Sequence, residues 1–118
     1  MRSPALQRAA LIAAVIVCLA AKTEHADSVK GFDKKSYTVS VQAGQKLTVW
    51  LKSNSSFAFF DVTPAGGEAI WVGSQEGKEK AFVQKLEKAG DYEVEVYLAR
   101  AEARRQGKAD YTLTILLD

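Results

Sequence analysis

Asp91-Tyr92-Glu93-Val94-Glu95-Val96-Tyr97-Leu98 alternates without a break: Tyr92, Val94, Val96 and Leu98 on one side, Glu93, Glu95 and Tyr97 on the other. A period of two puts successive side chains on opposite faces, which is the pattern of a half-buried strand in an antiparallel sheet. The same alternation recurs in Asp110–Leu117, with Tyr111, Leu113, Ile115 and Leu117 against Thr112 and Thr114. Ser36–Gln42 repeats it with Tyr37, Val39 and Val41, and Lys46–Lys52 with Leu47, Val49 and Leu51 against Trp50 and three polar residues. Phe57–Thr63, Ala69–Gly73 and Lys80–Leu86 carry weaker versions. Turn residues fall between the runs: Ala43-Gly44-Gln45, Pro64-Ala65-Gly66-Gly67 and Ala89-Gly90-Asp91. The first is so short that it predicts a hairpin between the strands it joins. Many short strands at this spacing predict an all-β fold, an antiparallel β-sandwich of about seven to eight strands.

One segment departs from the pattern. Arg100-Ala101-Glu102-Ala103-Arg104-Arg105-Gln106-Gly107-Lys108 joins the last two strong strands. Its alanines favour a short helical turn that Gly107 would end, with Arg100 and Arg104 four apart on one face and Arg105 pointing elsewhere. A loop dense in arginine does not build a core. Its planar forks suit the gripping of carboxylates or sugar hydroxyls. On charge alone these arginines read as the ordinary surface of a soluble turn.

The N-terminus reads as an export signal. Arg2 and Arg8 precede the apolar run from Ala9 to Ala21, which ends in small residues suited to cleavage after Ala20 or Ala21. The run is shorter than the ~20 residues that span a bilayer. Val17 is bulky where a lipoprotein signal carries a small residue, which argues against lipid modification of Cys18. Residues 1–21 are thus read as a signal peptide, 22–29 as a short lead-in and 30–118 as one β-sandwich domain. Removing Arg2 and Arg8 lowers the Lys and Arg count from 16 to 14 and matches the 14 acidic residues, so the formal charge of +2 belongs to the signal. The exported domain has no basic face of the kind that binds nucleic acid. Cys18, the one cysteine, leaves with the signal, so an exported domain without disulfides must rest on its core.

Enzyme chemistry finds little support. The one histidine, His25, lies in the lead-in, where a frayed terminus is expected, and neither a Cys/His pair nor a Ser/His/Asp set can be assembled. Glu76 and Glu79 read as a solvated turn rather than an acid–base pair. No cofactor or metal is implied. Tyr37, Tyr92 and Tyr111 are in phase with core residues, and Trp71, Phe57, Phe59 and Phe60 read as core. Trp50 and Tyr97 fall on the opposite phase, either covered by loops or forming a sugar-stacking platform.

Three segments together resemble the periplasmic inhibitors of goose-type (g-type) lysozyme. They are Lys30-Gly31-Phe32-Asp33 with Tyr37 and Ala43-Gly44-Gln45; Ala89-Gly90-Asp91-Tyr92 running through Tyr97 into Arg100-Ala101-Glu102-Ala103-Arg104-Arg105; and Lys108-Ala109-Asp110-Tyr111-Thr112-Leu113-Thr114-Ile115. The resemblance implies an eight-stranded sandwich without catalysis whose partner is g-type lysozyme and whose location is the periplasm. It implies that Arg100 and Arg104, the two arginines of the R-x-x-A-R element, and Phe32, the aromatic after the early glycine, contribute to inhibition, with Arg105 beside them. The family's aromatic is typically a tyrosine, so Phe32 keeps the ring and loses the hydroxyl. The family also carries a strand before this glycine, where residues 22–29 are read here as a lead-in. The competing function is a glycan-binding or envelope-adhesion sandwich using Trp50, Tyr97 and the basic loop.

Overall fold

The computed structural model describes residues 21–73 and 75–118. The elements are β1 (Ala21–Lys30), β2 (Lys35–Val41), β3 (Lys46–Ser53), β4 (Ala58–Pro64), β5 (Trp71–Val72), β6 (Glu79–Lys85), β7 (Gly90–Leu98), α1 (Arg100–Arg104) and β8 (Lys108–Leu117). They form two antiparallel four-stranded sheets with strand orders β1-β8-β3-β6 and β2-β7-β4-β5. The expected antiparallel β-sandwich, with one short helix before its last strand, is the fold of this chain.

The alternating residues meet in register. Phe82, Val49 and Ile115 lie side by side across β6, β3 and β8. Val62, Val94 and Tyr37 do the same across β4, β7 and β2. Phe60, Leu47, Leu113 and Val94 are fully buried between the sheets, and each such side chain contributes roughly 1.5–3 kcal/mol by leaving water. Along one open side of the sandwich, Tyr37 and Tyr111 join hydroxyl to hydroxyl at 2.6 Å, and the His25 ring packs on Tyr37 at 4.5 Å between centroids.

Three expectations change. The lead-in expected over 22–29 lies within strand β1, which pairs with β8 over ten residues from Ala21↔Leu117 to Lys30↔Lys108. His25 is therefore not frayed but paired with Leu113. Val29 is the one buried apolar residue of this strand, so its extended form comes from pairing rather than from its own pattern. Ala43-Gly44-Gln45 is not a hairpin, because β2 and β3 lie in different sheets. Gly44, at φ +89°, donates its N–H to the Leu86 carbonyl, and the turn carries the chain across the core. Phe57 and Phe59 leave the core: Phe60 alone of the three is buried, Phe59 is half-buried, and Phe57 is exposed. Trp71 packs against Phe60 and Phe82 as expected. The expected signal peptide, Cys18 included, lies outside the described residues except for Ala21, the first residue of β1.

Candidate functional site

The strand directions gather three connections at one end of the sandwich. Residues 31–34 join β1 to β2, 54–57 join β3 to β4, and 99–107 carry the chain from β7 over to β8.

The 99–107 connection contains α1. Ala99, at its N-terminal boundary, supplies no side-chain cap, and Ala103 is the one buried residue that anchors the helix. The Ala103 N–H donates to the Ala99 carbonyl at 2.8 Å. The turn closes at Gln106, which takes the left-handed conformation at φ +60°, so Gly107 is not the residue that ends it. Gly107 is needed for room: a Cβ there would collide with the Glu102 side chain, which folds back over it. Glu102 accepts from Arg105 at 2.5 Å, which ties that arginine into the loop. Arg100 and Arg104 are exposed, and neither forms an ion pair among the described residues. Arg100 stands in the first turn, where the partial positive charge of a helix start disfavours a cation. Local stability does not explain it.

Phe32 projects from the neighbouring turn and is 64% exposed. The turn is bonded to the arginine loop: Gly31, at φ +60°, donates its N–H to the Gly107 carbonyl at 2.9 Å. A Cβ on Gly31 would lie 2.9 Å from Gln106 Oε1, so the two turns touch. The predicted residues Phe32, Arg100, Arg104 and Arg105 are thus carried by two adjoining turns at one end of the molecule.

Two residues at this end were not picked out from the sequence. Phe57 is exposed at the end of 54–57, just before β4, and its carbonyl accepts from the Ala99 N–H at 2.9 Å. The polar run Ser53-Asn54-Ser55-Ser56 ahead of it was the available signal of a loop. Lys80 is 2% exposed and points inward, in phase with Phe82. Its ammonium donates to the Ser56 carbonyl at 3.0 Å and the Gly77 carbonyl at 2.7 Å, and sits 4.5 Å from the Phe59 ring centroid. Burial lowers its pKa.

Trp50 and Tyr97 do not form one platform. They lie on the outer faces of different sheets, Trp50 on β3 and Tyr97 on β7. Tyr97 is also occupied, donating to Asp61 Oδ1 at 2.7 Å beside Phe59. Among the described residues no group of three or more His, Cys, Asp or Glu side chains is placed to hold a metal ion, and no helix is long and apolar enough to cross a membrane.

Neither a protein-family model nor a curated protein matches this chain. Among solved structures it is similar to PliG of Aeromonas hydrophila, a periplasmic lysozyme inhibitor of g-type lysozyme. That pair shares 31% identity over 84% of this chain and 88% of that one, with a TM-score of 0.70. Its fold is also similar to that of PliG of Salmonella Typhimurium, at 22% identity, 82% and 91% coverage and TM-score 0.64. A mutant PliG of Escherichia coli matches at 20% identity, 82% and 87% coverage and TM-score 0.65.

Proposed function

This chain belongs to the family of periplasmic inhibitors of g-type lysozyme, and on that premise we propose that it is a non-catalytic inhibitor that blocks the lysozyme cleft with the loop carrying α1. The observation that carries this reading is the state of the arginines. Arg105 is spent on Glu102, whereas Arg100 and Arg104 are exposed and without ion pairs among the described residues. The loop therefore offers two forks to a partner. A glycosidase cleft holds a carboxylic acid and groups that bind sugar hydroxyls. An arginine entering it bonds the carboxylate with two parallel N–H donors and takes the place of sugar. Phe32, on the adjoining turn, lays an apolar ring against the cleft beside them.

We assign residues 1–21 to a signal peptide and the working protein to the periplasm, where it would shield the cell wall from lysozyme as a bacterial defence. Cleavage after Ala21 removes only the first residue of β1 and leaves its pairing with β8 from Lys22 to Lys30. The sugar platform that a glycan-binding reading needs has no geometric support, since Trp50 and Tyr97 lie on different sheets. The test is a lysis assay on bacterial cell walls, with the exported protein titrated against g-type and chicken-type lysozymes. Stoichiometric protection from the g-type enzyme alone is expected. Protection from neither enzyme, with or without binding to the wall itself, overturns the reading.

A further inference from the structure

Phe57 has no role in the function proposed above, yet the structure holds it out with care. It is 46% exposed at the last position of a loop fixed at several points, directly before β4. Ser53 Oγ donates to the Asp110 carbonyl and accepts from the Ser55 N–H, Ser55 Oγ accepts from the Phe57 N–H, and Asn54 Oδ1 accepts from the Asp110 N–H. Lys80 holds the Ser56 carbonyl from below. The backbone beneath the ring is thus fixed, and the exposed ring leaves apolar surface in water that a docking partner would cover.

Its position relative to the arginines is defined by backbone bonds. The 99–107 loop is tied at its entry, Ala99 N–H to the Phe57 carbonyl, and at its exit, Gly31 N–H to the Gly107 carbonyl, both at 2.9 Å. Each tie is made to a turn bearing an exposed phenylalanine, Phe57 at the entry and Phe32 at the exit. We propose that Phe57 is a second aromatic contact for the lysozyme, so that the arginine helix enters the cleft with one ring on each flank. Aromatic anchors beside arginine are the composition of an interface centre. A cleft built to hold sugar rings presents apolar surface on which a phenyl face can lie. Lys80 acts as a positioning residue, fixing the carbonyl just before Phe57. The inference rests on the lysozyme reading and extends its contact surface to a loop that reading does not use.

The experiment measures the Kd of the full exported protein for g-type lysozyme by calorimetry, with Phe57→Ala, Phe57→Tyr and Arg104→Ala alongside the parent. Phe57→Ala should weaken binding at least tenfold with little change in Tm, and Phe57→Tyr, which keeps the ring, should stay near the parent. Hydroxyl-radical labelling of Phe57 in the unaltered protein gives a second readout that no folding defect can confuse, and it should fall when lysozyme is bound. A parent that does not bind lysozyme overturns both readings. A parent that binds and loses affinity through Arg104→Ala, but keeps it within twofold in Phe57→Ala and labels Phe57 equally free and bound, overturns this inference alone.

Discussion

Three arginines within six residues ought to behave differently when each is truncated, and the difference follows from their partners. Arg100 and Arg104 are exposed and form no ion pair among the described residues, so replacing either by alanine should move stability by no more than ~0.5 kcal/mol. Arg100→Ala should be neutral or slightly stabilising, because it removes a cation from the first turn of α1, which no side chain caps. If the loop enters the cleft as proposed, the same change would leave a carboxylate or a sugar subsite of the lysozyme unanswered. A central arginine costs ~2 kcal/mol or more when truncated, about a thirtyfold rise in Kd at 1.4 kcal/mol per tenfold. Arg105→Ala reverses the balance. Its partner Glu102 is already inside the loop, and the pair is solvent-facing on the arginine side, 67% exposed against 20% for the glutamate. Removing it should cost at most ~1 kcal/mol of stability and raise Kd only about threefold, through a slacker loop. Arg104→Lys separates charge from geometry: it keeps the cation and loses the fork, so most of the thirtyfold loss should remain. The assay is calorimetric binding to g-type lysozyme with parallel thermal melts. The reasoning fails if Arg105→Ala weakens binding as much as Arg104→Ala, or if Arg104→Lys binds like the parent.

Burial, together with the bonds to Asp61 and Tyr37, raises the pKa values of Tyr97 and Tyr111 well above the ordinary phenol range. The fold then keeps protons that the unfolded chain loses near pH ~10, so stability should fall as pH rises above that value in urea unfolding series, and Tyr97→Phe should flatten the fall. Gly31→Ala forces a Cβ into the left-handed region against Gln106, at a cost of ~1 kcal/mol or more, and should lower both Tm and lysozyme affinity. Gly31→Asn, more at ease at φ +60°, should recover most of both, and failure to do so would locate the defect elsewhere. Lys80→Met deprives the Ser56 and Gly77 carbonyls of their donor and should destabilise by ~1–2 kcal/mol in a denaturant titration, despite relieving the cost of a buried ammonium.

What was legible in the sequence was whatever a strand reveals by itself. The phase of Tyr92, Val94, Val96 and Leu98 is a local property, and all four are buried as the alternation requires. Pairing is not local. A three-residue turn at Ala43-Gly44-Gln45 serves a hairpin and a crossing between sheets equally well, and the choice was made by β7 and β8, forty-five or more residues away, which take β2 and β3 as separate partners. β1 was invisible for the same reason: AKTEHADSVK has almost no apolar alternation, and β8 supplies its partner groups. The candidate site divides along this line. Arginine density and the helical turn were readable, but the commitment of Arg105 to Glu102 was not, and neither was the exposure of Phe57, which stands three residues before buried Phe60 in a run that looks uniformly apolar. The crossings between sheets, which no strand announces by itself, also build the end that carries the candidate site. Because consecutive strands mostly change sheets, the turns at 31–34 and 54–57 come to lie against the 99–107 loop, and two backbone hydrogen bonds, at Phe57 and Gly107, tie that loop at its entry and exit to turns that each bear an exposed phenylalanine.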